Sequence, residues 1–219
     1  MSVTPQAPLT IDIVSDVVCP WCIVGYRQLT QALADTGVEA NITWHPFELN
    51  PAMPAEGQNL REHLTEKYGA SPEDSARNRA NLTQIGADLG FRFAFSDDMR
   101  MVNTFAAHQL LHWAGQTGHQ TDLKLALFDA HFTQHKDISD HDVLADVAAS
   151  VGLDPDAARA ILEDARFAQT VREEQRFFTE QGISGVPAVI FDRQHLVTGA
   201  QGVENYTAIL QQLTAAPVA

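Results

Sequence analysis

The chain of 219 residues carries a net charge of −14, with 45% of its residues apolar and 19% charged. Such a length and balance allow one or two domains around a sizeable buried core and exclude disorder as the main state. The negative excess argues against nucleic acid or an anionic membrane as a partner, since both require a basic surface, and no apolar run approaches the roughly 18 residues of a transmembrane helix.

Residues 10–14, Thr-Ile-Asp-Ile-Val, alternate in polarity and are largely β-branched, which predicts a strand. Residues 15–19 read as a short turn. Pro20 suits the first position of a helix, where its missing N–H costs nothing. Cys22, Tyr26, Leu29 and Leu33 then recur at helical spacing, Gly37 supplies the stop, and residues 40–47 form a second expected strand. From 48 to 181 the pattern is almost wholly helical. Helices are expected near 58–68, 73–89, 101–115, 121–135, 140–151, 155–163 and 165–181, broken at glycines such as Gly69, Gly90 and Gly152. Beyond 182, the apolar runs 188–191 and 196–198 flank a polar turn and predict a hairpin, after which Val203, Tyr206, Leu210 and Leu213 mark a closing helix. The simplest parse is a discontinuous α/β domain, residues 1–47 and 182–219, interrupted by an all-helical insert, residues 48–181.

Only two cysteines occur, Cys19 and Cys22. Residues 1–10 contain no Lys or Arg, and no apolar block follows a basic start as in a secretory signal, so a cytoplasmic location is expected. Cytosolic thiols are kept reduced, which disfavours a structural disulfide, and no second cysteine pair is present to complete a tetrahedral zinc site. A C-x-x-C that follows a strand and opens a helix points instead to thiol redox chemistry. The thiolate is the nucleophile, and the unpaired N–H groups and positive end of a helix favour that anion. Cys19 is therefore the expected attacker, and Cys22, one turn further in, the resolving thiol. Neither Pro20 nor Trp21 adds a charge, so the helix end alone sets the expectation: a Cys19 pKa of roughly 6 to 7 and a potential between roughly −270 and −180 mV.

The segment Ser15-Asp16-Val17-Val18-Cys19-Pro20-Trp21-Cys22 resembles the active-site segment of the DsbA-like thioredoxin superfamily, in particular its FrnE-like branch. Pro46-Phe47-Glu48-Leu49-Asn50-Pro51, with Met53-Pro54 and Glu56-Gly57, is similar to a second signature of that branch, and Gly182-Ile183-Ser184-Gly185-Val186-Pro187 with Gly199-Ala200-Gln201 to a third. The resemblance implies a thioredoxin fold with a large inserted helical domain, thiol–disulfide oxidoreductase activity, and no metal or organic cofactor. It also implies that Pro187 is a cis-proline facing the cysteines and that Val186 offers its backbone to a substrate strand. Trp21, which the short loop between the cysteines cannot bury, is expected at the site mouth, and Pro20 with it is a substrate-binding candidate. Better-known periplasmic members have a His between the cysteines and a signal peptide; this chain has Trp21. Asp12 lies in the first strand, where the family often keeps an acid beneath the site, and is the candidate proton carrier between Cys22 and solvent, although its alternation with Ile11 and Ile13 permits either face.

Two histidine pairs, His108/His112 and His131/His135, have the four-residue spacing of zinc ligands but lack the Glu of H-E-x-x-H. They read as packing or solvent-facing residues at helix margins. Acids such as Glu173, Glu174, Asp140 and Asp142 read as solvated helix faces. The expected activity is disulfide exchange, including isomerisation, with protein or small-molecule thiols and disulfides. Glutathione or thioredoxin is the candidate redox partner. Two other readings are a glutathione-dependent kappa-class-like transferase or isomerase, whose members keep a Ser where Cys19 stands, and a non-catalytic redox-sensing adaptor.

Overall fold

The computed structural model describes residues 7–215. β1 (Leu9–Ser15) leads through a turn to α1 (Pro20–Thr36), which returns the chain to β2 (Ala40–Pro46), parallel to β1. Cys19 caps α1 with extended backbone (φ −92°, ψ 111°), Pro20 follows at the first helical position, and Gly37 ends the helix in the left-handed region. Next come β3 (Gln58–Asn59), α2 (Leu60–Tyr68), α3 (Pro72–Asp88), β4 (Arg100–Met101), α4 (Phe105–Gln116), α5 (Gln120–Phe132), α6 (His141–Ser150), α7 (Pro155–Asp164) and α8 (Ala168–Glu180). β5 (Ala188–Phe191) and β6 (His195–Thr198) form the expected hairpin, and α9 (Val203–Thr214) closes the described chain.

Several helix ends differ from the sequence reading, each for a local reason. Residues 58–59 and 100–101 pair as the antiparallel strands β3 and β4 instead of opening helices. Asn59 accepts hydrogen bonds from the N–H groups of Arg61 and Glu62, which starts α2 at Leu60, and Asn103 takes the N–H of Phe105 ahead of α4. α5 stops at Phe132, where the Lys136 N–H turns back to the Ala130 carbonyl and His135 adopts φ 56°. Ala165, at φ 49°, ends α7 and delays α8 to Ala168.

The main sheet has the order β2-β1-β5-β6, with β5 antiparallel to both of its neighbours. Period-two alternation gives it two distinct faces. Ile11 and Ile13 of β1, with Val189 and Phe191 of β5, pack against Leu29 and Ala32 of α1 and Tyr206 and Leu210 of α9. Val14 and Ala188 face the other way, onto Phe178 of α8 and Ile183. The cuts expected at 47/48 and 181/182 fall in the connections after β2 and α8, yet the apolar core crosses them. Leu82, Phe91, Phe93, Phe128 and Phe132 join the same cluster as Ile11, Cys22 and Leu29.

One contact in that shared core sets a hard limit on sequence. A Cβ on Gly86 of α3 would lie 2.5 Å from Phe93 Cδ2 and 2.6 Å from the Phe91 carbonyl oxygen, closer than real atoms approach. The glycine lets residues 91–93 fold back over α3 and bring Phe93 into edge contact with Phe91 and Phe132. Gly86→Ala should therefore destabilise the fold by about 1–3 kcal/mol, although alanine is the better helix former. Urea unfolding checks this, and an alanine variant as stable as the parent contradicts the packing described.

Candidate active site

The strand–turn–helix that carries the cysteines is built by local rules. β1 ends at Ser15, and the Cys19 N–H donates to the Asp16 carbonyl (3.2 Å), closing the turn. The Cys22 N–H then donates to the Cys19 carbonyl (3.1 Å) as the first turn of α1 forms. Both cysteines are free thiols. Cys22 is fully buried, whereas Cys19 keeps 4% of its surface and lines a cavity together with Pro20, Trp21 and Val186. Trp21 stands 40% exposed beside it.

The third signature segment reaches the cysteines from across the sheet. The Val186–Pro187 peptide bond is cis, as the family pattern implies. The Cys19 thiol lies 3.7 Å from the Val186 carbonyl oxygen, to which it donates. A Cβ on Gly25, one turn beyond Cys22, would sit 3.3 Å from Pro187 Cγ, so Pro187 packs directly on α1. Cys19, Cys22, Pro20, Trp21, Val186 and Pro187 thus come together.

Asp12 does not join them. It alternates with Ile11 and Ile13, which pack beside the cysteines, and so faces the opposite side of the sheet. There its Oδ1 lies 2.9 Å from His45 Nε2, while His45 Nδ1 lies 2.5 Å from Glu174 of α8. Burial opposes a charge on His45, but the two carboxylates outweigh it and raise its pKa. Glu174, expected on a solvated face, is half-buried in this cluster and lies 3.7 Å from His112.

The acid at the cysteines is Asp16, which is fully buried. Its Oδ2 accepts the Leu49 N–H at 2.7 Å. His108 Nε2 lies 2.9 Å from the Phe47 carbonyl and 3.4 Å from Asp16 Oδ1, so its N–H serves the carbonyl first. Burial alone would raise the Asp16 pKa; His108, the Leu49 amide and the Lys124 charge outweigh it, and Asp16 is held as a carboxylate. The second signature is thereby explained as a strap. Phe47 and Leu49 hold the active-site turn, Glu48 pairs with Arg172 of α8, and Lys67 Nζ holds the Leu49 carbonyl (2.7 Å) and Asn50 Oδ1 (2.6 Å).

Lys124 of α5 completes the site and was not expected. It has no exposed surface; its ammonium donates to the Ser15 carbonyl at 3.3 Å and lies 5.3 Å and 5.2 Å from the Trp44 and Phe128 ring centroids. Burial lowers its pKa to about 8, against the pull of Cys22, Asp16 and Cys19. His131, two turns on, is also buried and driven down to about 4, so its ring is neutral. The readable signal was that Lys124, Phe128 and His131 share one face of a helix whose remaining buried positions are apolar. His108 and His131 are core residues rather than marginal ones, and their spaced partners turn elsewhere: His112 toward Glu174, His135 to the Ala94 carbonyl.

These groups set the charge on the sulfurs. Burial would raise the Cys22 pKa, but the neighbouring Cys19 and Ser15 side chains, the Lys124 charge and the Asp16 backbone lower it. The hydrogen bond to Cys22, with burial and the Cys22 charge, pushes the Cys19 thiol well up. The direction at Cys19 is opposite to the one expected from the helix end alone. A sequence count of Pro20 and Trp21 omits the burial of both sulfurs, their effect on each other and a cation that lies 105 residues further along the chain.

Three comparisons bear on this geometry. The family model described as "DSBA-like thioredoxin domain" matches residues 10–211. The crystal structure of a probable DsbA oxidoreductase from Streptomyces coelicolor is 33% identical, with 96% of this chain and 93% of that one covered at a TM-score of 0.88. The cytosolic disulfide reductase DsbM from Pseudomonas aeruginosa is 19% identical at a TM-score of 0.63, covering 95% of this chain and all of that one. The uncharacterized protein YwbO of Bacillus subtilis is 25% identical over 197 residues, 90% of this chain and 92% of its own. The FrnE-like branch is a finer division than these matches carry. The chain belongs to the DsbA-like thioredoxin family and is a thiol–disulfide oxidoreductase of mixed α/β fold.

Proposed function

We propose that the protein catalyses disulfide exchange in the cytoplasm, with Cys19 as the attacking sulfur and Cys22 as the resolving one. The observation that carries this reading is the difference in access: Cys19 lines a cavity beside the Val186 carbonyl, while Cys22 lies behind it with no exposed surface. The Cys19 pKa is raised and that of Cys22 lowered, so attack by Cys19, the sulfur that a substrate disulfide can reach, requires that its proton be given up as the new bond forms. After attack, Cys22 must become the thiolate that releases the product, and Lys124 supplies the nearby positive charge for that step. Val186 and Pro187 border the path of an incoming substrate strand. Among the described residues no helix is long and apolar enough to cross a membrane, and DsbM, a cytosolic reductase by its own description, supports a cytoplasmic role. A thiol such as glutathione or a dithiol protein such as thioredoxin would return the pair to its reduced form. A free Cys19 disfavours the transferase reading, whose members keep a Ser there.

Three outcomes test these roles. Cys22→Ser should accumulate mixed disulfides through Cys19, and Cys19→Ser should abolish exchange; trapping of substrate on Cys22 instead, read by mass spectrometry, reverses the assignment. An insulin-reduction assay without turnover in the parent favours the adaptor reading.

Lys124→Met removes the buried cation and should raise the first thiol pKa of the pair by about 1–3 units, read from thiolate absorbance. Less thiolate stabilisation means a less stable reduced form, so the potential should fall by about 30–90 mV. Lys124 titrates lower in the fold than in the unfolded chain, so below pH 8 its charge costs stability, and that cost is relieved as pH rises toward 10.5. The methionine variant should therefore be more stable than the parent at pH 7 while releasing mixed disulfide more slowly; a variant both less stable and unchanged in thiol pKa contradicts the role.

Asp12→Asn should leave formation and release of the mixed disulfide at parental rates, because Asp12 bonds His45 on the far face of the sheet. Slowed release in that variant restores Asp12 as the proton carrier.

A further inference from the structure

The cavity beside Cys19 is lined mostly by apolar side chains. Its volume is about 370 Å³, within the range of sites that enclose small molecules. Apolar side chains of the helical region, among them Leu82, Phe95 and Phe132, form its walls, and Cys19 lies at one side. Asn50, His63, Ser75, Asn78, Arg79 and His131 break that lining, and two of these bear on a ligand. Ser75 of α3 is 3% exposed, and its Oγ has no hydrogen-bond partner among the described residues. A buried hydroxyl without a partner carries a free-energy cost that a ligand atom relieves.

The second feature is Arg79, one turn further along α3. Among the described residues that line the cavity it is the one side chain with a permanent charge, since burial holds both His63 and His131 toward their neutral forms. Its hydrogen bonds are long, 3.5 Å to the Ser96 carbonyl and 3.3 Å to Asp97, and both use Nη1. Asp97 is itself 71% exposed and shared with Arg61 at 3.5 Å. The guanidinium therefore retains donors for an anion.

We propose that this cavity binds a low-molecular-weight disulfide with an apolar, ring-sized body and a carboxylate. The carboxylate meets Arg79, a polar atom meets Ser75 Oγ, and the disulfide lies against Cys19. The proposal rests on the exchange reading above and names the substrate class of the same site. In the reaction the Cys19 thiolate bonds to one substrate sulfur, the substrate S–S bond breaks, and the departing thiolate takes a proton from solvent. The Cys22 thiolate then attacks the Cys19 sulfur and expels the second substrate thiolate, leaving a Cys19–Cys22 disulfide. Two electrons pass from the dithiol to the substrate, and two equivalents of a thiol of the glutathione class, oxidised to their own disulfide, restore the dithiol.

The test uses the reduced full chain and three probes: the aromatic disulfide of thionitrobenzoic acid, its neutral carboxamide analogue, and bis-hydroxyethyl disulfide. Leu82→Trp fills the cavity and should raise KM for the aromatic carboxylate disulfide about tenfold relative to the hydroxyethyl probe. Arg79→Gln should raise KM for the carboxylate probe about tenfold relative to its carboxamide analogue, and Ser75→Ala should weaken both aromatic probes. If Leu82→Trp does not fold by circular dichroism, Arg79→Gln decides alone, since its side chain is partly exposed. Equal effects on carboxylate and carboxamide, or none on either, overturn the proposal while exchange itself survives. No turnover of any probe or of insulin by the parent overturns the exchange reading instead.

Discussion

A buried carboxylate is the joint on which the site depends. Asp16 sits in the turn between β1 and α1 with no exposed surface, and an ionised group in that position is tolerable only if its environment replaces water. The replacement comes from three directions: the Leu49 N–H from the strand extension, His108 from α4, and the positive charge of Lys124 from α5. The backbone of the same residue accepts the Cys19 N–H. One side chain thus ties the redox turn to segments far apart in sequence, and the sulfurs keep their position because the carboxylate must keep its partners.

The charge that holds Asp16 also acts on the thiols. Burying the Lys124 ammonium among Trp44, Phe128 and the β1 end opposes folding, and its attraction to Asp16 and the sulfurs offsets only part of that cost. Its retention is intelligible as a functional cost. A cation at this point favours thiolate on the buried sulfur, the form that the resolving role proposed for Cys22 requires. The sheet's other face shows the contrast. There the Asp12–His45–Glu174 chain joins β1, β2 and α8 at a partly exposed surface, where it anchors helix to sheet without reaching the sulfurs.

The helical region contributes more than a cover. Its α3 and α5 supply Leu82, Phe128 and Phe132 to the core shared with the sheet, and Gly86 permits the chain to double back between them. The same two helices wall the cavity beside Cys19, so packing and access to that sulfur are set by one set of contacts.

Features with a short-range cause were legible in the sequence. The alternation of residues 10–14, the Pro20 start and the apolar runs 188–191 and 196–198 about a polar turn each depend on neighbours a few residues away, and each appears as expected. The C-x-x-C at a helix start and the three signatures named the chemistry and the fold. Asp12 could not be resolved in the same way, because alternation allows two faces and only the packing of α1 and α8 on opposite sides selects one. Lys124 showed a faint sign, a cation on an apolar stripe, but its closeness to Cys22 is a contact across about half the chain. By itself the sequence determined most of the elements and which side chains carry thiol chemistry, because propensity, capping and side-chain chemistry act locally. Only the tertiary structure decided which charges reach the sulfurs and in which direction their pKa values move, because burial and Coulombic contact depend on distances in space.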